Sequence, residues 1–369
     1  MSRILNESDM KNIIAGATVL GGGGGGSASG GFDLLELFKK NNPDKKVSVT
    51  MLDPDELDAG KYAAVTAGMG APKALIGKDF TPYAVNSYNA LKELAASMNP
   101  PKELEYTCAV EMGGFNTFVP MLISLLTGAP FVDGDGAGRA VPALDTLLLH
   151  VNGCDTSPLA MADHKNNCVQ IKLAEPKDAS TAEVIGRNIC IAFDMIAGLS
   201  GWMISKKEIK ERIGNNTVTY ALEIGEALSR YDGSGNVYEY LHTSGNLPSK
   251  AVGSGEVIYV ETKTAGGFDY GVVHIKCEDN SKIDVAFQNE NLVIMKNGEV
   301  LMTAPDIITL YDKNARMPIT NADVAKGMIV DVGVVKVDER WWNRGEEEIN
   351  QIWQPYFKNV EYHGPIVRF

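Results

Sequence analysis

Six consecutive glycines, residues 21–26, constrain the fold of this chain more than any other feature. They follow an apolar run over residues 13–20, interpreted as a buried strand, and precede a helix-like stretch over residues 32–40. A backbone without Cβ atoms can turn its N–H groups toward a ligand, and the following helix adds partial positive charge at its N-terminus. We therefore predict that Gly22, Gly23, Gly24 and Gly25 bind a substrate. A tight turn without a ligand is the alternative.

A short apolar segment followed by a glycine-rich turn occurs three more times. The apolar segments cover residues 61–67, 104–111 and 129–133, and the turns follow at residues 68–72, 113–114 and 134–139. Strands that alternate with helices predict βαβ units and a parallel sheet, with all four turns at one sheet edge. The predicted fold class is α/β: a parallel-sheet N-terminal domain with glycine-rich βα turns, plus a smaller β-rich C-terminal domain.

Changes in pattern along the chain indicate the domain limits. Residues 1–244 are predicted to form the α/β domain with its ligand cleft, and residues 180–231 within it are predicted to be helical. Residues 245–335 carry strand patterns separated by turn residues and are predicted to form the β-rich domain. Residues 336–369 contain Trp341, Trp342 and Trp353, and this aromatic tail is predicted to pack back on the first domain.

The charged residues of the predicted turns suggest catalytic chemistry. Glu111, Asp133, Asp135 and Arg139 are the candidate catalytic residues, because carboxylates at a sheet edge can hold a divalent cation or act as a general base. Glu111, Asp133 and Asp135 are the candidate ligands of such a metal. Arg139 could neutralise the acids or bind a substrate carboxylate. The alternative is a solvated turn whose aspartates accept hydrogen bonds from backbone N–H groups.

A polar segment in the β-rich half follows a predicted strand where a short turn would suffice. Its members, together with an asparagine of the first domain, are candidate substrate-binding residues: Asn116, Gln288, Asn289, Glu290 and Asn291. The β-rich domain would then close over the cleft and present these groups to the ligand. A surface turn rich in Asn and Glu explains the same residues without a ligand.

Composition and motifs exclude several functions. The net charge of −13 without a basic cluster argues against nucleic acid as a partner, and no apolar run is long enough to span a bilayer. Five scattered cysteines and the lack of a signal sequence predict a cytoplasmic protein. The sequence has no P-loop, no Gly-x-Ser-x-Gly elbow and no His-x-His pair of the metal-dependent amidohydrolases. An apolar helical stretch at residues 181–199 suggests a homo-oligomer.

Taken together, these motifs resemble the S-methyl-thiohydantoin desulfurase-like family. They occur in order over nearly the whole chain: the six glycines, Gly68-Met-Gly-Ala-Pro72, Glu111-Met-Gly-Gly-Phe-Asn116, Gly128-Ala-Pro-Phe-Val-Asp-Gly-Asp-Gly-Ala-Gly-Arg139, Thr264-Ala-Gly-Gly-Phe268, Gln288-Asn-Glu-Asn291 and Ala304-Pro-Asp306. The resemblance implies an α/β first domain, a β-rich second one and a zinc-containing hydrolase. Such an enzyme replaces the methylthio group of an S-methylated thiohydantoin with oxygen and releases methanethiol.

This sequence departs from the family pattern at two places in the predicted cleft. Ala143 stands where the pattern has a glutamate, and Ser27-Ala-Ser-Gly-Gly31 replaces an expected Gly-Gly-Asp-Pro. Both changes bear on the choice of substrate and metal.

Two hypotheses follow. The first is a hydrolase of a small five-membered cyclic amide or thioimidate, in which a divalent metal, Zn²⁺ in the family, activates the attacking water. The glycine loop would stabilise the developing anion. The second is a module that binds a small cyclic or nucleotide-like ligand without turning it over.

Overall fold

The computed structural model of the chain describes residues 2–70 and 78–369, so Ala71 and Pro72 of the second predicted glycine turn lie outside the described residues. The described helices are α1 Glu7–Leu20, α2 Ala28–Asn41, α3 Thr81–Ser97, α4 Phe118–Thr127, α5 Leu148–Val151, α6 Ala179–Ala192, α7 Lys206–Arg212, α8 Thr217–Arg230, α9 Val237–Ser244 and α10 Glu346–Asn359.

The strands form two sheets. The first contains β1 Arg3–Asn6, β2 Ser48–Leu52, β3 Tyr62–Gly70, β4 Leu104–Ala109, β5 Phe131–Asp135, β6 Leu159–Ala162, β7 Cys168–Ile171, β8 Ile196–Ser205 and β9 Gly214–Asn215. The second contains β10 Ser249–Ala265, β11 Phe268–Cys277, β12 Lys282–Gln288, β13 Glu290–Lys296, β14 Glu299–Thr303, β15 Ile307–Asp312, β16 Met317–Ile319 and β17 Ile329–Val335.

The first sheet is mixed rather than parallel. Its order is β1-β2-β5-β4-β3-β8-β6-β7, with β9 paired to β5. The four strands β2, β5, β4 and β3 run parallel, and the flanking strands are antiparallel. The carboxyl ends of β3 and β4 therefore meet at one edge, as the sequence predicts.

One strand of this sheet, β8, lies where the sequence predicts a helix. Its first nine residues are buried, and Gly198 lets α3 approach so closely that a Cβ there would come within 2.0 Å of the Tyr83 carbonyl oxygen. A continuously buried segment has no amphipathic period, so its pattern alone does not separate strand from helix.

The segment before the glycines is a helix, and its prediction as a strand is wrong. Asn6 caps α1 by accepting hydrogen bonds from the N–H groups of Ser8 and Asp9. The rest of α1 is buried against α8, and a Cβ on Gly16 would lie 1.8 Å from the Ala221 carbonyl oxygen. The six glycines therefore connect two helices, α1 and α2, rather than a strand and a helix.

The second sheet is antiparallel throughout, with the order β14-β13-β12-β11-β10-β17-β15-β16. A single residue, Asn289, separates β12 from β13 and adopts a left-handed conformation with φ of 55°. This tight reversal places the following residue, Glu290, at the start of β13.

The C-terminal segment contacts residues of the first sheet and its loops. Trp353 and Phe357 of α10 are buried in one apolar cluster with Val65 of β3 and Cys108 of β4. The indole N–H of Trp341 donates to the Ala137 carbonyl at 2.9 Å. Within residues 2–70 and 78–369, no helix has both the length and the apolar character needed to cross a membrane.

Candidate functional site

A cavity of about 840 Å³ lies between the two sheets. The first domain contributes the start of α2, the end of β3 and the loops after β4 and β5, while the second contributes the β12–β13 reversal and residues 320–324. Seven of the predicted site residues line it: Gly23, Gly24, Gly25, Glu111, Asn116, Asn289 and Glu290. Six others do not belong to its lining: Gly22, Asp133, Asp135, Arg139, Gln288 and Asn291.

The glycine loop forms one wall of the cavity, and contacts from both domains fix its shape. The second domain forms two backbone hydrogen bonds to the loop. The N–H of Asn291 donates to the Gly22 carbonyl at 2.8 Å, and the N–H of Asn321 donates to the Gly23 carbonyl at 2.9 Å. Four of its glycines have positive φ, from 55° to 89°. After the loop, Ser27 caps α2, so the N-terminus of α2 opens on the cavity.

Gly24 matters because it leaves room for a carboxyl group. A Cβ at this position would lie 1.9 Å from Oε1 of Glu290. The Glu290 side chain therefore rests directly against the glycine loop, across the boundary between the domains. No other residue type fits there without moving the carboxyl.

Glu111 is the buried carboxyl contributed by the first domain. It follows β4 and is 8% exposed. Its Oε1 accepts from the side-chain amide of Asn116 at 2.7 Å, and its Oε2 accepts from the Val141 N–H at 2.9 Å. Burial raises the pKa of Glu111 to about 7, while these two donors oppose the shift.

Glu290 is the buried carboxyl contributed by the second domain. It is 4% exposed, and its Oε2 has no hydrogen-bond partner within the described part of the chain. Burial, together with the negative charge of Glu111, raises the pKa of Glu290 to about 8. Glu111 has two donors that favour its ionised form and Oε2 of Glu290 has none among the described residues, so protonation is favoured at Glu290.

Two carboxyl groups thus face one cavity with pKa values near neutrality. Between about pH 7 and 8 these pKa values leave Glu111 ionised and Glu290 protonated, which is the arrangement that general acid–base catalysis requires. The sequence predicts Glu111 as catalytic and Glu290 as substrate-binding, but it does not predict that the two side chains line the same cavity.

Arg139 lies behind this pair rather than in the cavity. It is completely buried and donates to four backbone carbonyls, those of Ala140 at 2.7 Å, Asn291 at 3.4 Å, Pro305 at 2.6 Å and Asp306 at 3.0 Å. It therefore does not grip a substrate carboxylate. Burial lowers the pKa of Arg139 to about 10, and its positive charge lowers the pKa of both glutamates.

Asp133 and Asp135 hold the local backbone in place. Asp133 accepts from the N–H groups of Val218 and Thr219, at 3.1 and 3.0 Å, and so caps α8. Asp135 accepts from the N–H groups of Ala137 and Gly138, at 2.9 and 2.7 Å. The alternative that the sequence left open is a turn whose aspartates accept hydrogen bonds from backbone N–H groups. The structure has these hydrogen bonds, although the aspartates are buried rather than solvated.

These aspartates do not fit a metal centre. Within the described residues, no group of three or more His, Cys, Asp or Glu side chains could hold a metal ion. Both oxygens of Asp133 already accept hydrogen bonds from α8, and zinc is held mainly by histidine and cysteine. The structure therefore does not bring Glu111, Asp133 and Asp135 together as a ligand set.

The remaining amides position other groups. Asn116 accepts from the Gly68 N–H at 3.0 Å while it donates to Glu111, so it links β3 to the carboxyl. The Oε1 of Gln288 accepts from the Asn359 side chain of α10 at 2.9 Å. Asn291 donates to the Ile308 carbonyl and accepts from Asn321. Within residues 288–291 only Asn289 is half-buried and the other three are buried, so the segment is not a surface turn.

The site also contains residues that the sequence prediction missed. Arg187 of α6 lines the cavity, and its Nε donates to Glu183 at 2.6 Å. Glu183 lies in the first half of α6, which Asp178 caps. The apolar wall includes Phe80 and Phe115, whose rings lie edge to face at 5.0 Å. Only the tertiary fold brings these side chains together.

Comparison with known proteins places this chain in a family. A model described as the S-Me-THD-like N-terminal domain matches residues 8–172, and one described as the S-Me-THD-like C-terminal domain matches residues 177–360. The crystal structure of a protein from Chromobacterium violaceum has a similar fold, with a TM-score of 0.84, 24% identity and 99% of each chain covered. No curated protein matches the chain. The two matches cover nearly the whole sequence, and the chain belongs to the S-methyl-thiohydantoin desulfurase-like family.

Proposed function

We propose that this protein is a hydrolase of S-methyl-thiohydantoins or closely related five-membered cyclic amides, with Glu111 and Glu290 as its acid–base pair. The observation that carries the proposal is the pair of buried carboxyls that line one cavity with raised pKa values. The family name supports the substrate class. A cavity between two domains is also a common place for a small-molecule site.

The first half of the reaction uses the two carboxyls in opposite protonation states. Protonated Glu290 donates its proton to the ring nitrogen of the thioimidate, while the Glu111 carboxylate accepts a proton from water. The water oxygen bonds to the ring carbon that carries the methylthio group, and the C=N double bond becomes a C–N single bond. The product of this half is a tetrahedral intermediate.

The second half reverses both proton transfers. The new hydroxyl gives its proton to Glu290 as the C=O bond forms, and the C–S bond breaks. Glu111 donates its proton to the departing sulfur, so methanethiol leaves and a hydantoin remains. Both glutamates return to their starting states, and the overall reaction consumes one water molecule.

The glycine loop supports this chemistry electrostatically. Gly25 and Gly26 line the cavity, and within the described residues no group accepts a hydrogen bond from either N–H. The N-terminus of α2 follows directly. We propose that these donors stabilise negative charge that develops on the substrate oxygen or sulfur; a single such donor is worth about 3–4 kcal/mol in characterised enzymes.

The proposal assigns no step to a metal, because the donor set of the described residues does not fit one. The zinc that the family resemblance implies is therefore tested directly. Elemental analysis of the purified protein accompanies every activity assay, and activity that follows added zinc would contradict the acid–base proposal.

The experiment that tests the function measures methanethiol release from S-methyl-thiohydantoin with a thiol-reactive chromophore. We expect turnover by the wild-type protein and a loss of about 10²–10⁴-fold in kcat for E111Q and for E290Q. E347Q, which changes an exposed glutamate of α10, is the matched control and should keep full activity. Tight binding without turnover would instead favour a ligand-binding module.

A further inference from the structure

The cavity is much larger than the ring it is proposed to hold. An S-methyl-thiohydantoin ring has about eight non-hydrogen atoms, whereas cavities of about 300–1,000 Å³ bury drug-sized ligands. With about 840 Å³, this cavity leaves most of its space for a group attached to the ring. The side chains that line the cavity indicate the chemical character of that group.

One wall of the cavity is apolar and partly aromatic. Phe115 is 6% exposed and packs against Phe80, and Gly68 of β3 leaves room for its ring, since a Cβ there would come within 2.8 Å of Cε1. Leu34 and Leu37 of α2 extend the same wall. An aromatic or branched substituent would bury apolar surface against these side chains.

The charged groups of the cavity disfavour an anionic substituent. Of the described lining residues, six are acidic and two are basic, Lys78 and Arg187. The charge of Arg187 is already neutralised by Glu183 at 2.6 Å, and its guanidinium stacks on Phe268 at 4.5 Å. Lys78 and Asp33 are both exposed, so solvent screens both charges. With Glu290 protonated and Glu183 paired with Arg187, no cation among the described lining residues offsets the buried carboxylate of Glu111 or the half-buried Asp79 and Asp269. A carboxylate in the cavity would therefore meet a net excess of negative charge.

We infer that the substrate carries a large, uncharged apolar side chain, aromatic or branched, on the ring carbon next to the carbonyl, and that carboxylate-bearing rings are rejected. This inference rests on the proposed function. It goes beyond that function because the apolar wall, rather than the carboxyl pair, selects the substrate.

The test compares three S-methyl-thiohydantoins whose ring side chain is methyl, benzyl or carboxyethyl. We expect kcat/KM to be about 10–100-fold higher for benzyl than for methyl, as burial of one aromatic ring allows, and lower for carboxyethyl than for methyl. L37W, which fills part of the apolar wall, should reduce the ratio of benzyl to methyl. L301W, on an exposed position of β14, is the control and should leave that ratio unchanged.

The outcomes separate the inference from the function on which it rests. Equal kcat/KM for methyl and benzyl, or a preference for carboxyethyl, overturns the inference while the hydrolase proposal stands. If none of the three compounds is hydrolysed, the hydrolase proposal fails, and calorimetric titration then tests the cavity alone. In that titration the benzyl compound must bind more tightly than the other two, or the inference is wrong. Thermal melting verifies that L37W is folded.

Discussion

The environment of Glu290 shows how the fold shifts the pKa of a single carboxyl group. The folded protein raises the pKa of its carboxyl from 4.5 to about 8, because the group is buried and an ionised Glu111 shares its surroundings. A carboxyl whose pKa is raised in the folded state stabilises the protein fully below its unfolded pKa. That contribution is lost as the pH rises through the folded pKa.

This linkage gives a prediction for E290Q. Glutamine stays neutral, so the variant avoids the loss of stability that the wild-type protein undergoes as the pH rises from about 4.5, the unfolded pKa, to about 8, the folded pKa. We expect E290Q to unfold at a higher temperature than the wild-type protein at about pH 9, by the equivalent of about 1–3 kcal/mol, and at a similar temperature at about pH 4, below the unfolded pKa. Thermal melts at both pH values measure this. A difference that is the same at both pH values, or that also occurs in E347Q, would refute the linkage.

Residue types near the site were visible in the sequence, but their pairing was not. Glu111 follows a strand that the sequence predicts, and its position at the sheet edge is deduced from the parallel arrangement. Glu290 reaches the same cavity only because the second sheet docks on the glycine loop, and no local pattern encodes that docking. Asp133 and Asp135 are predicted as catalytic from their place in a glycine-rich turn, but hydrogen bonds to backbone N–H groups also favour aspartate in turns.

At the scale of elements, the glycine loop shows which features a sequence can predict. The helix after the glycines is confirmed over Ala28–Asn41, and the strand before them is wrong. A run of apolar residues that is buried on every side fits either structure, and the contact between α1 and α8 decides in favour of the helix. The proposed role of the loop does not depend on this difference, since the N-terminus of α2 still opens on the cavity.

A single methyl group on this loop tests its contact with Glu290. In G24A the new Cβ must displace the Glu290 carboxyl, whose Oε1 it would approach to 1.9 Å. We expect kcat to fall at least about tenfold, because a general acid acts only from the correct position. G60A is the matched control, since a Cβ on Gly60 makes only ordinary contacts, 3.4 Å from Asp58.

A lower kcat in G24A could come from misfolding or from displacement of Glu290, and these two causes have to be separated. Circular dichroism verifies that G24A is folded, and its pH–rate profile reports the acid directly. If folded G24A keeps the wild-type kcat and profile, Glu290 does not act from the position described here.

At the scale of the whole molecule, the site exists only where the two domains meet. Arg139 joins them, because one guanidinium from the first domain donates to carbonyls of three residues in the second, Asn291, Pro305 and Asp306. The Arg139 carbonyl also accepts from the N–H of Met112, next to Glu111. Arg139 thus positions the segments that carry both carboxyls.

Loss of this buried cation should affect stability and titration together. We expect R139M to lower the free energy of unfolding by about 3–5 kcal/mol, since it leaves buried carbonyls unpaired and two carboxyls without their counter-charge. In the folded fraction, both limbs of the pH–rate profile should move to higher pH. R340M, a half-buried arginine paired with Asp338, is the control. An unshifted profile would show that Arg139 is only structural.

The sequence predicted the existence of two domains and the edge at which the cleft lies. It could not predict the mixed order of the first sheet, because the pairing of β8 with β3 depends on tertiary contacts of small residues such as Gly198. The limit between the domains, predicted at residues 244 and 245, stays a prediction.

The pH dependence of kcat/KM for S-methyl-thiohydantoin hydrolysis tests the central claim most directly. Below about pH 7 Glu111 becomes protonated and no longer accepts a proton. Above about pH 8 Glu290 loses the proton that it must donate. We therefore predict a narrow bell-shaped profile of kcat/KM with its maximum between these pH values. In E290Q the profile should lose its decline at high pH, and its maximum should be much lower. A rate that is flat across this range, or unchanged in E290Q, would contradict the assignment of Glu111 and Glu290 as the acid–base pair.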